Sequence, residues 1–190
     1  MKTKILGIII LFSVSVYSQS IDSAKISFFL SMNVNSSVEV SQSGNNDKFN
    51  AEPSFGVGFE YYITNNEGGS KSGLGVEYGF KNSIPGINGY FRNIPAYLFY
   101  DLSLIDNNSF YIPKLSLKLG FNFLSLSDNF LSDKSGSSNG IYFGLGIKSQ
   151  INSHYAIRIM YSINQGGINY SGKDYLLKNE KINLCLCLLL

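Results

Sequence analysis

The chain has 190 residues with 15 basic and 13 acidic side chains, 13 Tyr, 14 Phe, 19 Gly, one His, two Cys and no Trp. Near-neutral charge argues against a nucleic-acid partner, and the length suits one domain. Two cysteines are too few for a disulfide framework.

At the N-terminus, Lys2 and Lys4 precede the apolar run Ile5 to Phe12, which gives way to Ser15-Val-Tyr-Ser-Gln-Ser20. This is the layout of a secretory signal peptide covering residues 1–18, cut after Ser18 or Ser20. Its removal takes two of the 15 basic residues and leaves 13 against 13 acidic ones. A membrane anchor would need about 18 apolar residues, and no run of about 20 follows the signal, so a helical span is excluded.

From there the chain repeats one pattern, large apolar residues at every second position, which is the period of a β-strand. The first strand carries Ile26, Phe28, Leu30, Met32 and Val34, the second Phe55, Val57, Phe59, Tyr61 and Ile63, the third Leu74, Val76, Tyr78 and Phe80. The fourth has Ile94, Ala96, Leu98, Tyr100 and Leu102 on one face, with Tyr97 and Phe99 on the other. The fifth keeps the alternation longest, from Tyr111 to Phe123, and the sixth has Ile141, Phe143, Leu145 and Ile147. Tyr155 to Ile163 makes the seventh, Ile182 to Leu190 the eighth. Connections alternate in length: Asn35 to Pro53, Asn82 to Arg92, Ser125 to Asn139 and Asn164 to Glu180 are long, whereas Asn65 to Ser72, Ile105 to Ser109 and Gln150 to Ser153 are short. Pro95 and Pro113 lack the N–H a ladder needs, which predicts a strand end or a bulge at each.

Alternation does not say which face is buried; volume does. About 40 mostly large side chains would overfill an eight-stranded barrel, whose interior is only just wide enough for its own side chains. The opposite faces hold Gly56, Gly58, Gly73, Gly75, Gly79, Gly120, Gly144 and Gly146 with Ser27, Ser31, Ser116 and Ser162. The same faces carry Lys25, Glu60, Glu77, Lys81, Asp101, Lys114, Lys118, Lys148, Arg158 and Lys181. A basic residue facing lipid at the midplane costs roughly 2–4 kcal/mol, so the charges belong inside and the apolar faces outside. The fold predicted for residues 19–190 is an all-β, eight-stranded, antiparallel, up-and-down transmembrane β-barrel, with both termini periplasmic and the long loops extracellular.

In pattern, signal peptide and loop asymmetry, residues 24–190 resemble the small outer-membrane barrels of the OmpA/OmpX type, a porin-like family of Gram-negative envelopes. Such barrels commonly end on an aromatic residue, whereas Leu190 keeps the alternation without being aromatic. The resemblance implies a monomer embedded in outer-membrane lipid, with an extracellular ligand or protein as the partner of the loops.

Within the lumen, Glu60 and Glu77 are expected to form an ion-pair network with Lys114, Lys118, Lys148 and Arg158 that plugs the barrel, since buried charges need partners. The competing expectations are charges in solvent at strand ends and a narrow passage for small solutes or anions. Tyr61, Tyr100, Tyr111 and Tyr155 fit an aromatic girdle at the periplasmic interface. His154 has no acidic neighbour in sequence, so neither a triad nor a metal site is expected, nor any cofactor or enzymatic activity. Cys185 and Cys187, two apart on one face, are read as free thiols because their Cβ vectors run parallel. Gly56-Val-Gly58 and Gly144-Leu-Gly146 lack the context of nucleotide fingerprints, and Asp128 and Asp133 miss the calcium-loop spacing. The resulting functional expectation is a structural or surface-interaction barrel. A narrow porin-like channel and a secreted soluble β-sandwich are the alternatives.

Overall fold

The computed structural model describes residues 25–42, 45–65, 69–86, 88–103, 113–127, 136–170 and 173–190. The expected signal peptide, Tyr111, the turn expected at 105–109 and the acidic pair Asp128 and Asp133 lie outside them.

Eight strands form the wall: β1 (Ile26–Gln42), β3 (Ser54–Asn65), β4 (Lys71–Gly79), β6 (Tyr90–Ser103), β7 (Lys114–Leu126), β8 (Gly136–Gln150), β9 (Tyr155–Tyr170) and β10 (Lys173–Leu189). Two short strands, β2 (Asn45–Asn50) and β5 (Asn82–Ser83), pair against β1 and β6. Each wall strand is antiparallel to its neighbours in chain order, and β10 pairs with β1 from Ser27↔Leu189 upward, which closes the sheet on itself. Closure removes the two-sheet alternative: a β-sandwich would leave β1 and β10 as edges.

The wall is apolar outside and polar inside. Outward residues include Phe121 at 70% exposure, Leu119 at 62% and Leu98 at 61%, whereas inward Glu60, Ser116 and Ser162 are at 0%. Inward glycines make room for large inward neighbours, because the lumen alternates small and large groups across the ladder. Gly58 lies opposite Glu77 and beside Phe29, whose ring occupies the space a Cβ at Gly58 would take. Gly75 faces the Tyr97 ring in the same way. These pairs place Phe29, Tyr62, Tyr97, Phe99 and Tyr142 in the lumen among the charges.

The connections differ from expectation. Residues 35–53 and 164–180 are mostly strand: β1 runs on to Gln42, β2 returns beside it, β9 reaches Tyr170 and β10 starts at Lys173. A bulge between Asn33 and Asn35 shifts the phase, so that Ser36 and Val38 point inward after Val34 has pointed out. Alternating runs of large apolar residues mark a strand where its outer face must be apolar; beyond the belt the outer face is polar, the inner one mixes Ser36 and Asn179 with Val38 and Leu177, and that signal weakens.

Pro113 sits just before β7, as expected, but Pro95 lies within β6, paired with Asn122 and with no bulge there. The reason is local: pairing of β6 with β4 stops at Val76↔Ala96, so Pro95 lies where β6 has an edge on that side.

The lumen is layered. At the end holding both termini, Phe29, Ala156, Cys185, Cys187 and Leu189 form one buried cluster. At the distal end Val38, Ile84, Phe91, Leu124, Leu126 and Leu177 form another, with Phe49 packed on it. Ile84 reaches this cap because the segment after β4 folds back, held by hydrogen bonds from Ser54 Oγ to Asn82 Oδ1 (2.6 Å) and from Glu52 N to Ser83 O (2.9 Å). Gly86, at φ 82°, takes the left-handed conformation that turns the chain back out.

Candidate functional site

Alternation along β3 turns Glu60 inward, and its cross-strand neighbours Ser27 and Gly75 leave the volume it needs. Glu60 Oε1 accepts from Lys118 Nζ at 2.8 Å, from Arg158 Nη1 at 2.7 Å and from the Tyr97 hydroxyl at 3.1 Å. Lys118 also donates to the Tyr97 hydroxyl at 2.7 Å and lies 4.0 Å from the centre of its ring. Arg158 stacks 4.7 Å from the Phe29 ring centre. One carboxylate thus holds two cations from strands on other sides of the barrel, with aromatic faces flanking both.

Glu77 does not join that cluster directly. Its Oε1 accepts from Ser31 Oγ at 3.1 Å and from Lys181 Nζ at 3.3 Å. Lys148 pairs with Asp101 at 2.8 Å, and Asp101 also accepts from Ser116 Oγ at 2.6 Å. Lys114 is half-buried and donates to the Gly69 carbonyl at 2.5 Å, away from Glu60 and Glu77. Lys25 and Lys81, placed inside by alternation, are exposed at the barrel ends, and Lys81 lies over the Tyr90 ring at 4.5 Å. The partners that sequence reasoning leaves out are Asp101, Lys181 and the hydroxyls of Tyr62 and Tyr97, which accept from Lys148 and Lys118. Alternation places Asp101 and Lys181 inside without pairing them, and the signal for Tyr97 is that the fourth strand carries large apolar residues on both faces.

Toward the distal end the lumen changes from charges to amides. Asn122 Nδ2 donates to Asn93 Oδ1 at 2.9 Å, Asn93 Nδ2 to Asn179 Oδ1 at 3.3 Å and Asn179 Nδ2 to Ser36 Oγ at 2.7 Å. Beyond the apolar belt, β9, β10, β1 and β2 form a sheet whose outer face carries the cross-strand row Lys48, Glu39 and Lys178. The hydrogen bond between Lys178 and Glu180 (2.5 Å) holds the Glu180 carboxyl below its ordinary pKa and the Lys178 ammonium above.

Of the four tyrosines expected to form a girdle, Tyr61 is 44% exposed and Tyr100 and Tyr155 are half-buried, all toward the end with the termini. His154 is half-buried in the turn before β9, where its backbone N–H donates to Asn152 Oδ1 at 2.9 Å. Both cysteines are free and buried on the inward face. Among the described residues no group of three or more His, Cys, Asp or Glu side chains is placed to hold a metal ion.

No family model and no curated protein matches the chain. Among solved structures, Neisserial surface protein A superposes with a TM-score of 0.56 at 16% identity, over 88% of this chain and 98% of that one. OprG, an outer membrane protein of Pseudomonas aeruginosa, gives 0.46 at 13% identity over 89% and 99%. Ail, the attachment invasion locus protein of Yersinia pestis, gives 0.44 at 14% over 84% and 97%. The fold is that of the small outer-membrane eight-stranded barrels.

Proposed function

We propose that the chain is a monomeric, non-enzymatic barrel of the outer membrane, with a closed lumen and a surface role carried by the sheet beyond its apolar belt. The observation that carries this reading is the inverted wall. Large apolar side chains face out all round, charged ones face in, and a sheet polar on its outer face stands past the belt at the end opposite the termini. Only lipid makes such a belt favourable. Both termini then lie in the periplasm, the tyrosines at 61, 100 and 155 stand at the periplasmic interface, and the β1–β2 and β9–β10 hairpins meet whatever ligand or protein the cell surface offers. Protease added to intact cells is expected to cut within these distal hairpins and spare the turn at 150–154; cutting at that turn instead would reverse the orientation.

Closure of the lumen is supported by the order of its layers: ion pairs around Glu60, an amide layer, then the apolar cap of Ile84, Phe91 and Leu124. An ion crossing it would have to break buried pairs and then enter a cluster with no polar group. A narrow anion passage draws on one contrary observation, the five buried bases Lys71, Lys118, Lys148, Arg158 and Lys181 against the buried acids Glu60, Glu77 and Asp101. In planar bilayers the unaltered protein is expected to show no steady discrete openings, and such openings would favour the passage.

A further inference from the structure

At the distal rim of the apolar belt the outer face of β6 and β7 changes character in one step. Leu98↔Leu119, Ala96↔Phe121 and Ile94↔Phe123 are outward pairs of the belt, and the next outward pair is Arg92↔Ser125. Two residues of strand rise about 7 Å, so Arg92 stands about that far beyond the last apolar pair. β5 brings a second cation to the same level: Asn82 pairs with Phe91, which sets Lys81 beside Arg92. Both lie against one ring, Lys81 Nζ at 4.5 Å and Arg92 Cζ at 5.1 Å from the centre of Tyr90. The start of β6 is anchored there by the hydrogen bond from Tyr90 N to Ser127 Oγ (2.8 Å).

No carboxylate answers these two charges. Among the described residues neither Lys81 nor Arg92 forms an ion pair, and Glu52, whose backbone N–H is bonded to the Ser83 carbonyl, pairs with neither. On the other side of the barrel the cations beyond the belt do have acids: Lys178 is bonded to Glu180, and Lys48 lies opposite Glu39. The Arg92 guanidinium also makes no hydrogen bond to a described residue, and its Nε is closed to solvent without an acceptor. An unmatched donor of this kind costs free energy that an incoming acceptor recovers. Two adjacent cations on an aromatic face, with no acid beside them, repel each other and attract an anion.

Location selects the anion. Directly below the pair the wall shows Phe80, Leu98, Phe121 and Phe123 to its surroundings, a face for acyl chains, so the cations stand where lipid headgroups lie. A guanidinium takes a phosphate through two parallel N–H bonds, and an ammonium adds a compact charge beside it. We propose that Lys81 and Arg92, held on the Tyr90 ring, bind the phosphate of an anionic lipid in the leaflet that meets the distal rim, with the lipid's chains lying along the belt below. The proposal rests on the reading that the belt lies in lipid; it is independent of what the distal hairpins contact.

The test first inserts the full barrel into phosphatidylcholine vesicles, then takes it into neutral detergent and titrates it with phosphatidic acid or phosphatidylcholine, reading the first bound lipid by native mass spectrometry. Phosphatidic acid is expected to bind the more tightly, Lys81→Gln and Arg92→Gln each to weaken it roughly fivefold, Lys48→Gln to leave it unchanged, and excess inorganic phosphate not to displace it. Should Arg92→Gln fail to insert, Lys81→Gln is read alone. Binding that survives both variants, or that Lys48→Gln weakens equally, marks general surface charge and overturns the proposal. Displacement by inorganic phosphate overturns it too, since the site would then take the free ion. A barrel that stays out of the vesicles overturns the membrane reading and the proposal together, whereas one that inserts and shows no preference for phosphatidic acid overturns the proposal alone.

Discussion

Replacing Glu60 with alanine is expected to destabilise the barrel by about 3–5 kcal/mol, the cost of removing one partner from a buried ion pair. Glu60 is wholly buried, and its Oε1 is the ion-pair partner of both Lys118 and Arg158, at 2.8 Å and 2.7 Å. Removing it leaves two buried cations with the Tyr97 hydroxyl and the Phe29 ring, neither of them charged, beside them. Lys118→Met and Arg158→Met added to the same variant are expected to restore most of the loss, because an apolar cluster of similar volume carries no desolvation penalty. The chain has no Trp, so unfolding in urea from lipid vesicles is followed by far-ultraviolet circular dichroism and by the gel shift of the folded barrel. A loss below about 1 kcal/mol for Glu60→Ala, the range of exposed pairs, would mean that water reaches the cluster, and the closed lumen would fall with it.

Leu119→Arg is expected to cost about 2–4 kcal/mol in the same vesicles. Leu119 stands near the middle of β7, 62% exposed on the outer face, flanked across the ladder by Leu98 and Phe143. On a soluble protein an exposed leucine exchanged for arginine changes stability by no more than about 0.5 kcal/mol. The substitution therefore separates a wall bathed in lipid from one bathed in water. Asn46→Arg, on the exposed strand β2 beyond the belt, is the matched control and is expected to be near neutral. Equal, small effects at both positions would refute the membrane assignment.

The clarity of the strands in the sequence followed how strongly each stretch is constrained. Leu115, Leu117, Leu119, Phe121 and Phe123 alternate with Ser116, Lys118, Gly120 and Asn122 because one face meets lipid and the other a crowded lumen, two environments that accept opposite residues. Val38 and Leu177 are as firmly in strands, yet they lie where β1 and β10 have left the belt, and a bulge at Asn33 and Asn35 resets the phase between them and Leu30. Strands whose outer face is polar and whose apolar residues are this sparse look like loops. The proline at 95 misled for a related reason: what permits it is the absence of a partner on one side, a property of neighbouring strands.

The ion pairs show the same division more sharply. That Glu60, Lys118 and Arg158 point inward follows from counting residues along three separate strands. That they meet depends on the stagger of the closed sheet, which brings residues 98 positions apart in sequence to 2.7 Å. The same stagger sends Glu77 to Lys181 and Lys148 to Asp101, while Lys114 ends at a backbone carbonyl near the rim. By itself the sequence determined the strands, their number, the inward and outward faces and hence the lipid wall, because period and volume are local quantities that can be added up along a chain. Pairing inside the lumen and the apolar cap around Ile84 were decided only by tertiary structure, since each depends on which strand stands opposite and how far the ladder is shifted.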